Sequence, residues 1–164
     1  MSLTDRDAPM TKQAVDDVET RSGSGYPAPF DEPCQARQWQ ELGEAAGVTQ
    51  YGVNLVRVPP GSWSSQRHWH SHEDEFVYLL EGEAVLVTDA GETIMTPGDF
   101  AGFPAGDGDG HHLQNRSNRD AVFLVVGSRR EDEDEVHYSD IDLHLPNTPG
   151  KGRVAFTRKD GTSC

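Results

Sequence analysis

The sequence predicts an all-β protein built as one small barrel or sandwich. Short apolar or β-branched segments recur through the middle of the chain, and turn-forming residues separate them about every ten residues. Strand-length segments with such regular breaks are typical of sandwiches and barrels. The 17 glycines and 10 prolines also favour many turns over long helices. A chain of 164 residues has room for one domain with one modest core.

Five segments carry the strand pattern, and a turn follows most of them. One turn, Asp89-Ala90-Gly91, is typical of a β-hairpin, because glycine adopts the left-handed conformation without strain. The predicted strands are residues 49–58, 76–80, 83–88, 93–95 and 121–126, and the other breaks are Pro59-Pro60-Gly61, Glu81-Gly82 and Pro97-Gly98.

The N-terminal part of the chain differs from this pattern. Residues 1–25 are polar and mixed in charge, so they cannot bury enough apolar surface to offset the entropy of ordering. We expect them to form a disordered tail. Residues 26–47 contain three large aromatic side chains among turn formers and are expected to form an ordered arm. Within this arm, residues 36–46 are the best helical candidate, although the periodicity is weak.

The C-terminal part begins with five consecutive acidic residues, 131–135, which we interpret as a solvated loop. Residues 136–145 alternate enough to form one further strand or extended arm, and 154–157 are a candidate for a short strand. The predicted organisation is therefore a tail at 1–25 and one domain at 26–164, with the barrel core at about 49–127 and a C-terminal arm at 131–164.

Charge and composition exclude several classes of protein. The net charge of −14, from 28 acidic and 14 basic residues, disfavours binding to nucleic acids and to anionic membranes. No apolar segment is long enough to span a bilayer, and the N-terminus lacks the pattern of a secretory signal. The two cysteines, Cys34 and Cys164, are far apart, which favours the reducing cytoplasm over a disulfide-bonded protein.

The residues most relevant to function lie in the segment 67–75. His68 and His70 are two positions apart, so both imidazoles lie on the same face of a strand. His72 falls in a predicted turn and is interpreted as a loop residue. Glu75 begins the next strand, whose pairing can bring the carboxylate beside the two imidazoles. Two histidines and a carboxylate that converge inside a barrel suit a transition-metal ion.

The order of these residues resembles the two motifs of the cupin superfamily. The resemblance covers residues from about 49 to 127. The first motif appears as Gly61, His68, His70, Glu75 and Gly82, and the second as Gly98, Pro104, Gly106, His111 and Asn115. The resemblance implies a double-stranded β-helix, which is a small jelly-roll barrel, with extended arms at both ends. It also implies one metal ion held by His68, His70, Glu75 and His111.

Two spacings depart from the cupin pattern. Six residues separate Gly61 from His68, where the pattern has five. Four residues, 107–110, precede the histidine of the second motif, where the pattern has two. This longer, polar gap leaves both His111 and His112 as candidates for the fourth ligand. The spacing to Asn115 favours His111, because a separation of four residues keeps both side chains on one strand face.

The ligand set leaves coordination positions for a small molecule, and its identity is compatible with Fe, Mn, Ni or Zn. Many cupins are dioxygenases, isomerases or decarboxylases. Our leading hypothesis is therefore a metal-dependent enzyme that acts on a small oxygenated or aromatic acid, with dioxygenase chemistry as the first expectation. The alternative is a non-enzymatic protein that binds or senses a small ligand through its metal. No catalytic residue beyond the ligands is identified, and a homodimer is expected.

Overall fold

The computed structural model describes residues 12–164; residues 1–11 lie outside the described part. The described part contains one α-helix, α1 (Leu42–Ala45), and 3-10 turns at Val15–Asp17 and Glu32–Cys34. It contains no helix that is long and apolar enough to cross a membrane. The strands are β1 (Arg21–Ser22), β2 (Gln38–Glu41), β3 (Tyr51–Val58), β4 (His68–His70), β5 (Glu75–Glu81), β6 (Ala84–Thr88), β7 (Gly91–Met95), β8 (Phe100–Phe103), β9 (His112–Gln114), β10 (Ala121–Ser128), β11 (Val136–Tyr138), β12 (His144–Leu145), β13 (Asn147–Thr148) and β14 (Gly152–Arg153).

The long strands enclose one apolar core from two sides. One side is a six-stranded sheet in the order β1-β2-β3-β10-β5-β8. The other side is formed by the sheets β7-β6-β9 and β12-β11-β4, which a bridge between His68 and His111 connects. Side chains from both sides share a single buried cluster, so the strands form a closed barrel. This cluster contains Val58, Val77, Leu79, Ala84, Met95, Leu113, Ala121 and Phe123.

The predicted all-β class is confirmed, and the five predicted strands correspond to β3, β5, β6, β7 and β10. Their bounds differ from the predicted ones by at most two residues at either end. The predicted hairpin also forms: Thr88 pairs with Gly91 across a tight turn, and Gly91 has a positive φ of 114°. Short apolar or β-branched segments separated by turn formers therefore located most of the barrel.

The predicted helix at 36–46 is wrong over most of its length. Residues 38–41 form β2, which pairs with β3 from Gln38 opposite Arg57 to Glu41 opposite Asn54. Only Leu42–Ala45 is helical. The weak helical tendency of this segment is overridden because the backbone of β3 offers hydrogen bonds along its free edge.

The predicted disordered tail, 1–25, differs from the structure in its second half. Its first eleven residues lie outside the described part. In the remainder, Arg21 and Ser22 pair with β2. The side-chain amide of Gln40 also donates hydrogen bonds to the carbonyl groups of Val15 and Val18, at 2.8 and 2.9 Å. The backbone partners come from β2, so the polar composition of the segment does not reveal them.

The two arms of the chain cover their own barrel. Val136, Tyr138 and Leu143 form a second buried cluster, and Tyr26 and Phe30 of the N-terminal arm pack against it. The predicted strand at 136–145 is two strands, β11 and β12, which pair with each other. The short strand expected at 154–157 lies earlier, at β14. This arrangement puts β11 beside β4, where the candidate ligands lie.

Candidate metal centre

Strand β4 places two of the predicted ligands inside the barrel. His68 and His70 flank Trp69, so their imidazoles share one face and their ring centroids lie 5.2 Å apart. Strand β5 begins at Glu75, directly after the predicted turn, and its carboxylate faces both rings. The local spacing of these three residues in the sequence therefore does bring them together.

His111 reaches the same point from across the barrel. Its backbone pairs with that of His68 in both directions, at 3.2 and 2.9 Å. Its ring stacks on Phe103, with the two ring planes 1° apart. Phe103 lies opposite Glu75 in the pairing of β5 with β8. The stacking partner of His111 is thus carried by the strand next to Glu75, and this fixes the imidazole beside the carboxylate.

One carboxylate oxygen forms the centre of the arrangement. Two ligands of one ion lie roughly 3–3.5 Å apart at metal–nitrogen distances near 2.1 Å, so the observed spacing is close to that of a metal site. The ligand atoms of His68, His70 and Glu75 all lie within 4.8 Å of one another. The distances from Oε2 of Glu75 to the Nε2 atoms of His68, His70 and His111 are 3.7, 3.6 and 3.5 Å.

The outer nitrogens of two of these rings have hydrogen-bond acceptors as partners. Nδ1 of His68 lies 2.8 Å from the carbonyl oxygen of Gln66, and Nδ1 of His70 lies 2.7 Å from Oδ2 of Asp134. Because both partners accept hydrogen bonds, each Nδ1 carries a proton, and each ring, when neutral, turns a lone pair of Nε2 toward Glu75. Lone pairs that face a carboxylate are stabilised by a cation placed between them.

The buried nitrogens of His111 also fit a metal. Neither Nδ1 nor Nε2 of His111 has a hydrogen-bond partner within residues 12–164, although the side chain is almost fully buried. A buried nitrogen without a partner costs free energy, which coordination of a metal ion by Nε2 would offset. The donor set of three imidazoles and one carboxylate is one that Fe, Mn, Ni and Zn accept.

The pKa values of the site favour a positive charge beside Glu75. Burial raises the pKa of Glu75, but His111, His68 and His70 lower it well below its usual range. Burial lowers the pKa of His70, but Asp134 and Glu75 raise it more, to about 9. The pKa of His111 is lowered, chiefly by burial. The carboxylate is therefore ionised and the ring of His111 neutral, as metal ligation requires.

His112, the alternative fourth ligand, makes different contacts. Its Nδ1 donates to the carbonyl oxygen of Ser65 at 2.9 Å, and its Nε2 accepts from the side-chain amide of Gln114 at 3.0 Å. Burial lowers the pKa of His112 to about 4, so its ring is neutral at physiological pH. Both nitrogens are thus engaged. His72 is exposed and contacts Ser71, which agrees with the predicted loop.

Asp134 is a residue of the site that sequence reasoning missed. It belongs to the acidic run 131–135, yet its side chain is completely buried, so the interpretation of the whole run as a solvated loop is wrong at this position. Besides His70, Asp134 accepts hydrogen bonds from the backbone of His72 at 2.8 Å and of Glu73 at 3.2 Å, and it pairs with Arg153. Burial raises the pKa of Asp134, but these donors lower it to about 2.

This ionised aspartate orients His70. A carboxylate that accepts the Nδ1 proton of a ligating histidine fixes the tautomer and makes the other nitrogen a better ligand. No nearby sequence signal points to Asp134, because its partner His70 is 64 residues away.

Three of the candidate ligands, His68, Glu75 and His111, line a cavity of about 220 Å³ in the barrel. Its wall is mostly apolar, and it is large enough for a small organic molecule. Among residues 12–164, Arg37 is the one guanidinium in the wall, and the polar side chains of Asn54 and Ser64 also line the cavity. The residues of the wall are Arg37, Trp39, Asn54, Val56, Ser64, Ser65, His68, Glu75, Val77, His111, His112, Leu113, Phe123 and Val125.

Comparison with known proteins shows the family to which the chain belongs. The sequence model of the cupin domain family matches residues 54–127. The structure of a sugar phosphate isomerase of a cupin superfamily from Silicibacter pomeroyi is 47% identical in sequence. The match has a TM-score of 0.88 and covers 94% of this chain and 96% of that one. The chain therefore belongs to the cupin superfamily, and the expected double-stranded β-helix is confirmed.

Other structures resemble the chain less closely. A proposed sugar phosphate isomerase from Acidithiobacillus ferrooxidans is 30% identical, with a TM-score of 0.69, over 79% of this chain and 80% of that one. The polyketide cyclase RemF from Streptomyces resistomycificus is 24% identical, with a TM-score of 0.58, over 73% and 79%; this similarity concerns the fold alone. No curated protein matches the chain in sequence.

Proposed function

We propose that the protein is a metal-dependent isomerase of a phosphorylated sugar. The observation that carries the proposal is the 47% identity with a sugar phosphate isomerase over 94% of the chain. Isomerisation is one of the activities that the sequence already allowed, and this similarity favours it over the dioxygenase that was expected first. The ligands proposed for the ion are His68, His70, Glu75 and His111.

The site suits this chemistry in two respects. A divalent ion held by three neutral imidazoles and one carboxylate acts as a Lewis acid toward the neighbouring carbonyl and hydroxyl oxygens of an open-chain sugar. The amide of Asn54 lines the same cavity and is available to contact a further hydroxyl group.

Arg37 is proposed to bind the phosphate group. The net charge of −14 repels an anionic substrate, so a local cation is needed to offset this field. The guanidinium of Arg37 lies 5.2 Å from the ring of Trp39 and is held by hydrogen bonds to Ser64 and Gly23. Its Nη2 has no hydrogen-bond partner among residues 12–164. A guanidinium with a free edge is well suited to phosphate oxygens.

The proposal predicts interconversion of an aldose phosphate and a ketose phosphate by the metal-loaded protein. The reaction would be followed by NMR in D2O. Proton transfer with exchange against the solvent also incorporates deuterium at the carbon atom next to the carbonyl group. Arg37→Met is expected to raise KM for phosphorylated sugars far more than it lowers kcat, because it removes binding common to substrate and transition state. Arg57→Met, at an exposed arginine of β3, is the control. Full metal occupancy without turnover across a panel of sugar phosphates would contradict the proposal.

One observation favours a second candidate, a protein that binds a small ligand without converting it. Within the described part of the chain, Glu75 is the only carboxylate in the wall of the cavity, and both nitrogens of His112 are engaged. No free acid or base is thus available there apart from the proposed ligands. In this case a sugar phosphate would raise the melting temperature of the metal-loaded protein and be recovered unchanged.

We also propose that the protein forms a homodimer through the outer face of β5 and β8. Phe76, Tyr78 and Leu80 alternate with buried residues of β5 and are 36–43% exposed, while Phe100 is 66% exposed and stacks on Phe76. Contiguous exposed apolar side chains of this kind are typical of interfaces.

Phe100→Glu is expected to yield a monomer in analytical ultracentrifugation, whereas Ile94→Glu, on the opposite sheet, leaves a dimer. A monomeric parent protein would contradict this.

The two free cysteines support the proposal of a cytoplasmic location.

A further inference from the structure

A second group of histidines lies on the outside of the barrel wall that carries β4. In the sheet β12-β11-β4, His144 pairs with His137, and His137 pairs with Trp69. These three side chains therefore form one row across the sheet. Trp69 lies between His68 and His70 in sequence, so the row is on the face opposite to the barrel site. The two groups of ligands are thus separated by a sheet.

The rings of this row are stacked in nearly parallel planes. Trp69 and His137 have ring centroids 4.2 Å apart with planes inclined by 15°, and His137 and His144 have centroids 4.6 Å apart with planes inclined by 20°. Stacking on both sides limits the rotation of the ring of His137. The two imidazoles are consequently held side by side, but because their planes are nearly parallel, both rings must tilt before their Nε2 lone pairs point to one ion.

A carboxylate completes the group. Glu135 precedes β11 by one residue, and its backbone pairs with that of Ser71, so its side chain shares a face with His137. Its Oε2 lies 3.7 Å from Nε2 of His137 and 3.2 Å from Nε2 of His144. One ligand atom from each of Glu135, His137 and His144 lies within 4.8 Å of the others. Two ligands of one zinc ion are roughly 3.4 Å apart in a tetrahedral site, so the spacing of these ligand atoms is close to that of a zinc site.

The surroundings attract a cation and leave it access. The side chains of Glu135 and His137 are 37% and 35% exposed, and that of His144 is 20% exposed. Glu131, Asp132 and Glu133 are exposed on the preceding loop. Arg129 and Arg130 form ion pairs with Glu131 and Glu133, but the loop as a whole remains negatively charged. Asp134 alone of this acidic run points inward, to the barrel site.

We propose that Glu135, His137 and His144 bind a divalent transition-metal ion, separately from the barrel site. Two imidazoles and one carboxylate with open positions suit zinc and its neighbours in the first row. The ion would cross-link β12 of the C-terminal arm to β11, next to the strand that carries His68 and His70. This site does not depend on the proposed isomerase activity.

Zinc binding to the full chain tests the proposal. Protein without an affinity tag, carrying Cys164→Ser to remove the exposed thiol, would be stripped of metal and titrated with Zn²⁺ in equilibrium dialysis. Two ions are expected per chain. His144→Ala and, separately, Glu135→Gln are each expected to lose one of them. His72→Ala, at an exposed histidine outside both groups, retains both.

A double variant separates this site from the barrel site. Glu75→Gln is expected to lose one ion, and addition of His144→Ala to it is expected to remove the other. If His144→Ala does not fold, Glu135→Gln decides, because glutamine preserves the size of a half-exposed side chain. The proposal is overturned if Glu135→Gln or His144→Ala binds as many ions as the parent protein with unchanged affinity. It is also overturned if Glu75→Gln binds no ion, because the parent protein would then have the barrel site alone.

Discussion

Asp134→Asn is expected to weaken metal binding at the barrel site by about 10- to 100-fold and to lower the free energy of unfolding by about 3 kcal/mol. The carboxylate accepts hydrogen bonds from His70 and from two backbone groups and pairs with Arg153. Asparagine keeps the size but presents two N–H groups, so it cannot satisfy all four donors. Without the carboxylate of Asp134, Arg153 keeps its ion pair with Glu73, and the ring of His70 is no longer fixed in orientation.

Both effects can be measured against a neighbouring acidic residue. Asp132→Asn removes the same charge from the same acidic run, but Asp132 is exposed. Competition with a chromogenic chelator gives the metal affinity, and urea unfolding of metal-stripped protein gives the stability. If Asp132→Asn and Asp134→Asn changed both quantities equally, Asp134 would have no specific role in positioning His70.

Gly82→Ala is expected to lower the free energy of unfolding by at least about 3 kcal/mol. Gly82 connects β5 to β6 with a positive φ of 81°, and a Cβ at this position would collide with the carbonyl oxygen of Asp120. The clash involves backbone, which cannot move away without breaking the start of β10 at Ala121. The substitution therefore combines left-handed strain with steric overlap in the core.

Gly91→Ala separates these two causes. Gly91 also has a positive φ, of 114°, but a Cβ there would meet no atom within 4 Å. Only backbone strain is added, so a loss of about 1 kcal/mol is expected. Chemical denaturation of both variants gives the comparison. Equal losses would mean that the contact with Asp120 is relieved at little cost.

The parts of the site that could be predicted are those set by local spacing. His68, His70 and Glu75 lie within eight residues; strand periodicity places the two imidazoles on one face, and the cupin resemblance implies that Glu75 joins them. His111 is implied by the cupin resemblance, and its spacing to Asn115 favours it over His112; its ring indeed faces Glu75. Asn115 itself is a structural residue, whose amide donates to the carbonyl groups of Val58 and Arg119.

The parts that could not be predicted depend on partners distant in sequence. Asp134 is one of five acidic residues in a row, and only the position of Arg153 and His70 in the fold shows that it is buried. The pairing of His137 with His144 depends on the register of β11 with β12, which no periodicity specifies. Strand β2 likewise forms because the edge of β3 provides backbone hydrogen-bond partners.

The most direct test of the account is the metal content of protein purified without a metal-affinity step. Elemental analysis would compare the parent protein with His68→Ala, Glu75→Gln and an exposed control, Glu92→Gln. We predict that the parent and Glu92→Gln contain one more divalent transition-metal ion per chain than His68→Ala and Glu75→Gln. Equal metal content in all four proteins would contradict the assignment of His68, His70, Glu75 and His111 as the ligands of a metal ion in the barrel.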